Sequence, residues 1–198
     1  DGVEVIAADE VVLCAGAIET PRLLVASGIG SGGPVDRPGV GRGLSDHPAV
    51  ELAWTAVPGA VQPGGAAWTA AWNAPAGEVA AAGVELLLAV LPTAAILTGD
   101  IAAAGPLALR ITLAEPASRG SVDDGVRYGY LTGGRDVAAL RDAVRAAAGL
   151  LRGPEMSDVV AAAEVPGWVD RAGSEGADEW LRANLGTALH SCGTARMG

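Results

Sequence analysis

The sequence predicts an α+β protein: a short α/β piece at the front, then a larger unit in which an antiparallel sheet is backed by helices. Three observations carry that expectation. An apolar run ending at a glycine leads into a short helical segment, and four strand-length stretches follow, separated by Pro and Gly. One long stretch, Asp136 to Leu151, has the apolar period of an amphipathic helix.

In chain order, Val3, Val5 and Ile6 precede a continuous apolar run, Val11-Val12-Leu13-Cys14-Ala15, which reads as a hairpin-like pair ending in a buried strand. Gly16 stops it. Thr20 then reads as an N-cap, Pro21 as the first helical residue and Gly28 as the C-terminal stop. From Ser31 to Pro48 a glycine or proline falls every few residues, which reads as loop and as a domain crossing. Strands are expected at Val50 to Val57, Ala66 to Trp72, Val84 to Leu91 and Leu107 to Ala114. In the long helix Val137, Leu140, Val144, Ala148 and Leu151 share a face, which should cover one side of that sheet. A second helix, Ala177 to Asn184, leads into a glycine-rich ending.

Composition excludes several classes. The net charge of -10 comes from 23 acids against 13 basic residues, all Arg and scattered without a stripe that could neutralise phosphates, so nucleic acid is not an expected partner. The apolar run Val84 to Leu91 carries Glu85 and falls far short of the roughly 20 residues a membrane span needs. Two cysteines, Cys14 and Cys192, lack the spacing of a disulfide framework or a zinc site, so no metal is expected. No basic stretch followed by an apolar one marks a signal peptide, and a cytoplasmic location is the expectation.

Gly28, Gly30 and Gly33 match G-x-G-x-x-G, the pattern of a dinucleotide-binding turn, but they follow a helix rather than a strand, so helix stop plus turn is the better reading. The preceding strand-glycine-helix is more informative, because a strand ending at Ala15-Gly16 lets a ligand approach backbone that a side chain would block. The segment Gly16-Ala17-Ile18-Glu19-Thr20-Pro21, with Leu23, Leu24 and Ser27-Gly28-Ile29-Gly30 after it, resembles the second signature of the glucose-methanol-choline (GMC) oxidoreductases. Gly39-Val40-Gly41-Arg42-Gly43-Leu44-Ser45-Asp46-His47-Pro48 is similar to the family's VGxNLxDHP loop, with Gly43 in place of the usual Asn. Ser118-Arg119-Gly120, Tyr130-Leu131 and the start of the long helix resemble its C-terminal region. The final block, His190-Ser191-Cys192-Gly193-Thr194-Ala195-Arg196-Met197-Gly198, is close to HPVGTCRMG, with Ser191 for Pro, Ala195 for the usual Cys and Cys192 standing before the glycine. That variant is similar to the mycofactocin-associated branch, whose members pass electrons to a carrier rather than to oxygen.

The resemblance implies an FAD-dependent enzyme acting on CH-OH groups, with residues 1–46 a remnant of the FAD domain, 47–184 a substrate domain and 185–198 a return segment carrying the active-site His. It implies that the ADP-binding turn precedes Asp1 and that a second active-site His or Asn follows Gly198. Flavin contacts fall to Ala15, Gly16, Asp46, His47, Pro48, Gly193 and Thr194, and the catalytic base to His190 beside flavin N5. Elementary chemistry agrees. Oxidising an alcohol releases a hydride that no side chain accepts, so a cofactor must, and a proton that an imidazole titrating near pKa ~6.5 can take. His47 and His190 are the two histidines, and His47 is expected to order its loop rather than move a proton. Asp46 is expected to accept backbone N–H groups in the turn.

The substrate is then a small-molecule alcohol, and oxygen, a quinone or a redox carrier remain open as electron acceptor. Cys192 is expected to be a buried, inert thiol, and the five tryptophans to be mostly packing residues. Two further readings stand beside the main one: a non-catalytic binding or packing domain, inactive because the FAD-binding unit is missing, and, ranked last, a hydrolase using Cys192 and His190.

Overall fold

The computed structural model describes residues 4–61, 68–74, 83–100, 105–123 and 125–197, with 68–74 described by backbone alone. The chain divides into two compact units, Asp46–Arg119 with Gly129–His190, and Asp1–Ser45 with Gly120–Tyr128 and Ser191–Gly198. Among the described residues no helix is long and apolar enough to cross a membrane.

The larger unit is built on an antiparallel sheet. In chain order its strands are β4 (Pro48–Ala56), β5 (Trp68–Ala74), β6 (Val84–Ala89), β7 (Leu107–Leu113), β9 (Val160–Ala163) and β10 (Gly186–Thr187). Spatially they run β10-β4-β7-β6-β5, and β9 also pairs with β4. β10 takes the start of that edge (Gly186 opposite Ala49) and β9 its end (Trp54 opposite Ala163). Successive side chains on a strand point to opposite faces, and the register puts Val50 opposite Ile111 and Leu52 opposite Leu109 on one apolar face. That face is covered by the long helix Gly134–Arg152. Val137, Leu140, Val144, Ala148 and Leu151 are all buried as expected, and Ala139, Ala143 and Ala147 are wholly buried beside them, small enough to let helix and sheet approach closely.

The start of that helix is pinned by Asp136, which is fully buried and accepts the N–H groups of Ala117 (2.8 Å) and Ser118 (2.7 Å). Burial pushes its pKa up, but the hydrogen bonds from Ser118 and Ala117 outweigh this and hold the carboxyl below its ordinary value. The four expected strands form with ends shifted by no more than two residues, and Ala66 and Ala67 lie outside the described residues. The second helix forms at Ala177–Ala183. Trp54 and Trp168 are core residues, whereas the side chains of Trp68 and Trp72 lie outside the described residues.

In the smaller unit, helix α1 spans Gly16–Ala26, with short strands β1 (Ile29–Gly30), β2 (Val35–Asp36), β3 (Arg42–Leu44) and β8 (Gly120–Ser121). Gly28, at φ +79°, ends the helix as expected, and its N–H bonds the Val25 carbonyl at 3.0 Å. A Cβ on Gly33 would stand 2.5 Å from the Gly28 carbonyl oxygen, so these glycines make a tight turn after a helix.

Two expectations fail here. The run Val11 to Ala15 is neither strand nor buried: residues 4–14 have no strand structure, and Val11 and Val12 are each 75% exposed. An apolar run becomes a strand only where neighbours accept its backbone bonds. The helix also starts at Gly16 rather than at Pro21, which lies inside it. Thr20 still serves the helix start, because its Oγ1 accepts the Ala15 N–H at 3.1 Å from inside the first turns.

Candidate active site

Both expected histidines lie in the larger unit, at one edge of its sheet. Asp46 and His47 lead into β4, and β10 pairs antiparallel beside them, with Thr187 opposite Pro48. Pro48 holds His47 to extended backbone, and the His47 carbonyl accepts the Ala188 N–H at 3.0 Å. After β10 the chain turns sharply. Leu189 is exposed at φ +64°, a conformation costly to a side chain with a Cβ, and its N–H bonds Thr187 Oγ1 at 2.9 Å. Strain held at one position beside a candidate base is a recurring mark of functional sites.

Asp46 closes this turn. Its carboxylate, 3% exposed, accepts the His190 backbone N–H at 2.7 Å and hydroxyl hydrogens from Tyr130 and Thr187. Burial pushes its pKa up, and the bonds from Thr187, Tyr130 and the N–H groups of His190 and His47 more than offset this, so Asp46 stays ionised below the ordinary aspartate range. The expectation that Asp46 accepts backbone N–H groups is met. Sequence reading missed Tyr130 and Thr187.

The His190 side chain is exposed, while His47 is half-buried. Their rings meet edge to face, 5.0 Å between centroids and at 90°, with the two Nδ1 atoms 3.1 Å apart. The His47 ring therefore contacts the turn that carries His190. Burial, then repulsion from His190, lowers its pKa, against smaller opposing pulls from Asp46 and Glu85. On the sheet face opposite the helix, Arg110 stands across from Glu51 at 3.7 Å and donates to the Thr187 carbonyl, and Thr93 donates to Glu51 at 3.1 Å. A cavity of about 430 Å³ opens there, lined by Glu51, Thr93, Arg110, Thr187 and Leu189 among others.

The remaining expected site residues lie in the smaller unit, where the loop 39–45 and the ending 191–197 interlock. Ser45 and Cys192 exchange backbone bonds of 2.9 and 2.8 Å, and the Gly41 N–H bonds the Thr194 carbonyl at 2.8 Å. Gly193, at φ +88°, lies so close that a Cβ would stand 2.8 Å from the Gly43 carbonyl oxygen. Gly43 itself has φ +74°, the left-handed region that glycine and asparagine tolerate best, which accounts for Gly in place of the family's Asn.

Thr194 has a distinct task. Pro21 lacks the N–H that would bond the Ala17 carbonyl four residues back, and Thr194 Oγ1 donates to that oxygen instead, at 2.5 Å. Thr194 is 2% exposed. Thr194→Val is expected to leave that carbonyl unpaired and to cost about 1–3 kcal/mol, read as a lower midpoint in denaturant at unchanged slope; an unchanged midpoint would refute the pairing. Ala15 and Gly16 are exposed, with no heavy atom within 4 Å of where a Cβ on Gly16 would stand. Cys192, expected to be buried, is a free and exposed cysteine, because the chain around it runs along the surface in its bridge to Ser45. Among the described residues no cluster of His, Cys, Asp or Glu is arranged to hold a metal.

Two family models, both described as GMC oxidoreductase, match residues 2–49 and 110–198, between them well over half the chain. The chain belongs to the GMC oxidoreductase family. It is 32% identical to an uncharacterised GMC-type oxidoreductase in the thcA 5' region of Rhodococcus erythropolis, over 96% of this chain and 39% of that protein. It is 28% identical to an oxygen-dependent choline dehydrogenase of Cronobacter sakazakii, over 98% of this chain and 42% of the relative. The chain thus spans about two-fifths of the length of these curated relatives. A similar fold occurs in pyridoxine 4-oxidase from Mesorbium loti (TM-score 0.68, 24% identity, 96% of this chain and 41% of that one). It occurs also in formate oxidase from Aspergillus oryzae RIB40 (TM-score 0.71, 21% identity, 91% and 43%), a structure concerned with FAD modification. At these identities the two structures speak to the fold alone.

Proposed function

We propose that this chain is the substrate-side portion of an FAD-dependent oxidoreductase that converts an alcohol to a carbonyl compound, with His190 as the base. One observation carries the reading: an exposed imidazole stands at the end of a turn whose backbone is tied to a buried, ionised Asp46. A base must be both accessible to substrate and fixed in position, and His190 is both. Family membership supports the cofactor.

The residues fit a flavin in two respects. The His190 ring has an exposed edge beyond its contact with His47, and the open backbone at Gly16 heads a helix whose N-terminal N–H groups suit an anionic or polar group. Ala15, Gly16, Asp46, His47, Pro48, Gly193 and Thr194 are the proposed flavin contacts. When bound, FAD supplies the acceptor for the hydride leaving the alcohol carbon. The chain's own residues do the rest. His190 takes the hydroxyl proton as the C–H bond breaks, and the cavity over Glu51 and Arg110 receives the body of the alcohol. Oxygen, a quinone or a redox carrier is the proposed electron acceptor, and a cytoplasmic location is proposed.

The test is spectroscopic. A full-length protein carrying this chain is expected to purify yellow and to bleach when an alcohol is added without oxygen, whereas the 198-residue polypeptide alone is expected to be colourless. A colourless full-length protein that regains no absorbance with added FAD would overturn the reading.

A further inference from the structure

We propose that His47 is a positioning residue whose neutral ring accepts the Nδ1–H of His190 and so leaves His190 Nε2 as the nitrogen that takes the alcohol proton. The proposal rests on His190 being the base. Its ground is the 3.1 Å separation of the two Nδ1 atoms and the edge-to-face meeting of the rings.

Two ring nitrogens at that distance share one hydrogen. If His47 donated it, neutral His190 would carry its own hydrogen on Nε2, and the outward nitrogen would have no lone pair for a substrate. If His190 donates it, Nε2 is free. The second arrangement also survives the reaction. Once Nε2 has accepted the proton, His190 is an imidazolium with a hydrogen on each nitrogen, and the Nδ1 hydrogen already has its acceptor. The atoms balance: the substrate O–H bond breaks and an Nε2–H bond forms, and bound FAD would supply the acceptor for the carbon's hydride.

This arrangement requires a His47 that stays neutral, since an imidazolium has no acceptor nitrogen. Around His47 stand Asp46 beside it in the chain, Glu85 on β6 and His190 on the turn after β10; burial and His190 oppose its protonation more strongly than the two carboxylates favour it. Backbone holds both rings in place, His47 through its carbonyl bond to Ala188 and His190 through its N–H bond to Asp46. A histidine tautomer is set by whatever its other nitrogen contacts.

The experiment uses the full-length flavoprotein and compares His47→Leu, His47→Asn and His190→Ala. Asparagine can place its amide oxygen where the His47 Nδ1 stood, accepts a hydrogen bond and does not titrate. Flavin occupancy, read from absorbance, shows that each variant is folded. His47→Leu is expected to slow anaerobic flavin reduction roughly 10- to 100-fold, part of the roughly 10²- to 10⁴-fold a general base supplies, with little change in KM. The acid limb of its rate profile should move to lower pH, because the protonated form of His190 loses its acceptor. His47→Asn is expected to recover most of the rate and the position of that limb. If leucine leaves the rate and profile unchanged while His190→Ala does not, the proposal fails and the base assignment stands. If asparagine is as slow as leucine, the ring matters as packing and the proposal also fails. If His190→Ala is itself at the native rate, the base assignment falls first.

Discussion

Replacing His190 by alanine in the full-length flavoprotein is expected to slow anaerobic reduction of the flavin by alcohol at least about 10²-fold, the lower end of what a general base contributes. The structure makes this a clean substitution. Asp46 holds His190 by its backbone N–H at 2.7 Å, so alanine keeps the bond that closes the turn. The ring is exposed, so its removal creates no core cavity, and stability should change by no more than about 0.5 kcal/mol. A rate loss with intact stability and intact flavin occupancy then reads the chemistry alone. Native reduction kinetics would remove His190 from the mechanism, and with it the link between this turn and alcohol oxidation.

What the sequence made legible is what local pattern encodes. The alternation in Val50 to Val57 and Leu107 to Ala114 and the 3.6-residue period of Asp136 to Leu151 each point one face at a shared core, and the structure assembles them so. Strand β9, Val-Ala-Ala-Ala at 160–163, was missed because alanine carries little strand preference; it pairs there because β4 offers an edge. The apolar run at Val11 misled in the opposite sense, since composition records that a segment suits burial and says nothing of whether a partner is at hand.

At the site the histidines were found through motif resemblance, but their surroundings were not. Tyr130 lies 84 positions from Asp46 and Thr187 lies 141, and no spacing rule joins a carboxylate to hydroxyls that distant. Pro21 shows the same limit. Read locally it marks a helix start, yet Thr194, 177 positions from Ala17, supplies the hydrogen bond that lets it sit inside the helix.

Asp46→Ala is expected to be the most destabilising single substitution at the site, by about 3–5 kcal/mol. It would remove the buried acceptor of the Thr187 and Tyr130 hydroxyls and of the His190 N–H, and losing hydrogen bonds to a buried charged group costs roughly 1–3 kcal/mol apiece. The effect must also depend on pH with a definite sign. The folded-state pKa of Asp46 lies below its ordinary value despite burial, because the hydrogen bonds to its ionised form prevail. A depressed folded pKa means that the unfolded chain binds the proton first as pH falls. The stabilisation is therefore complete above the ordinary aspartate value of about 3.9 and is lost as pH drops from there through the lower folded value. Asp136, depressed in the same sense by Ser118 and Ala117, adds to the same acid limb. Denaturation of the full-length protein and its Asp46→Asn variant, followed between pH 7 and about pH 3, should show the gap between them narrow toward acid. Asparagine retains one acceptor oxygen but turns an amide toward the remaining donors, so it should be weaker at neutral pH and flatter with pH. A gap constant across that range would mean that the Asp46 charge contributes nothing to holding the His190 turn.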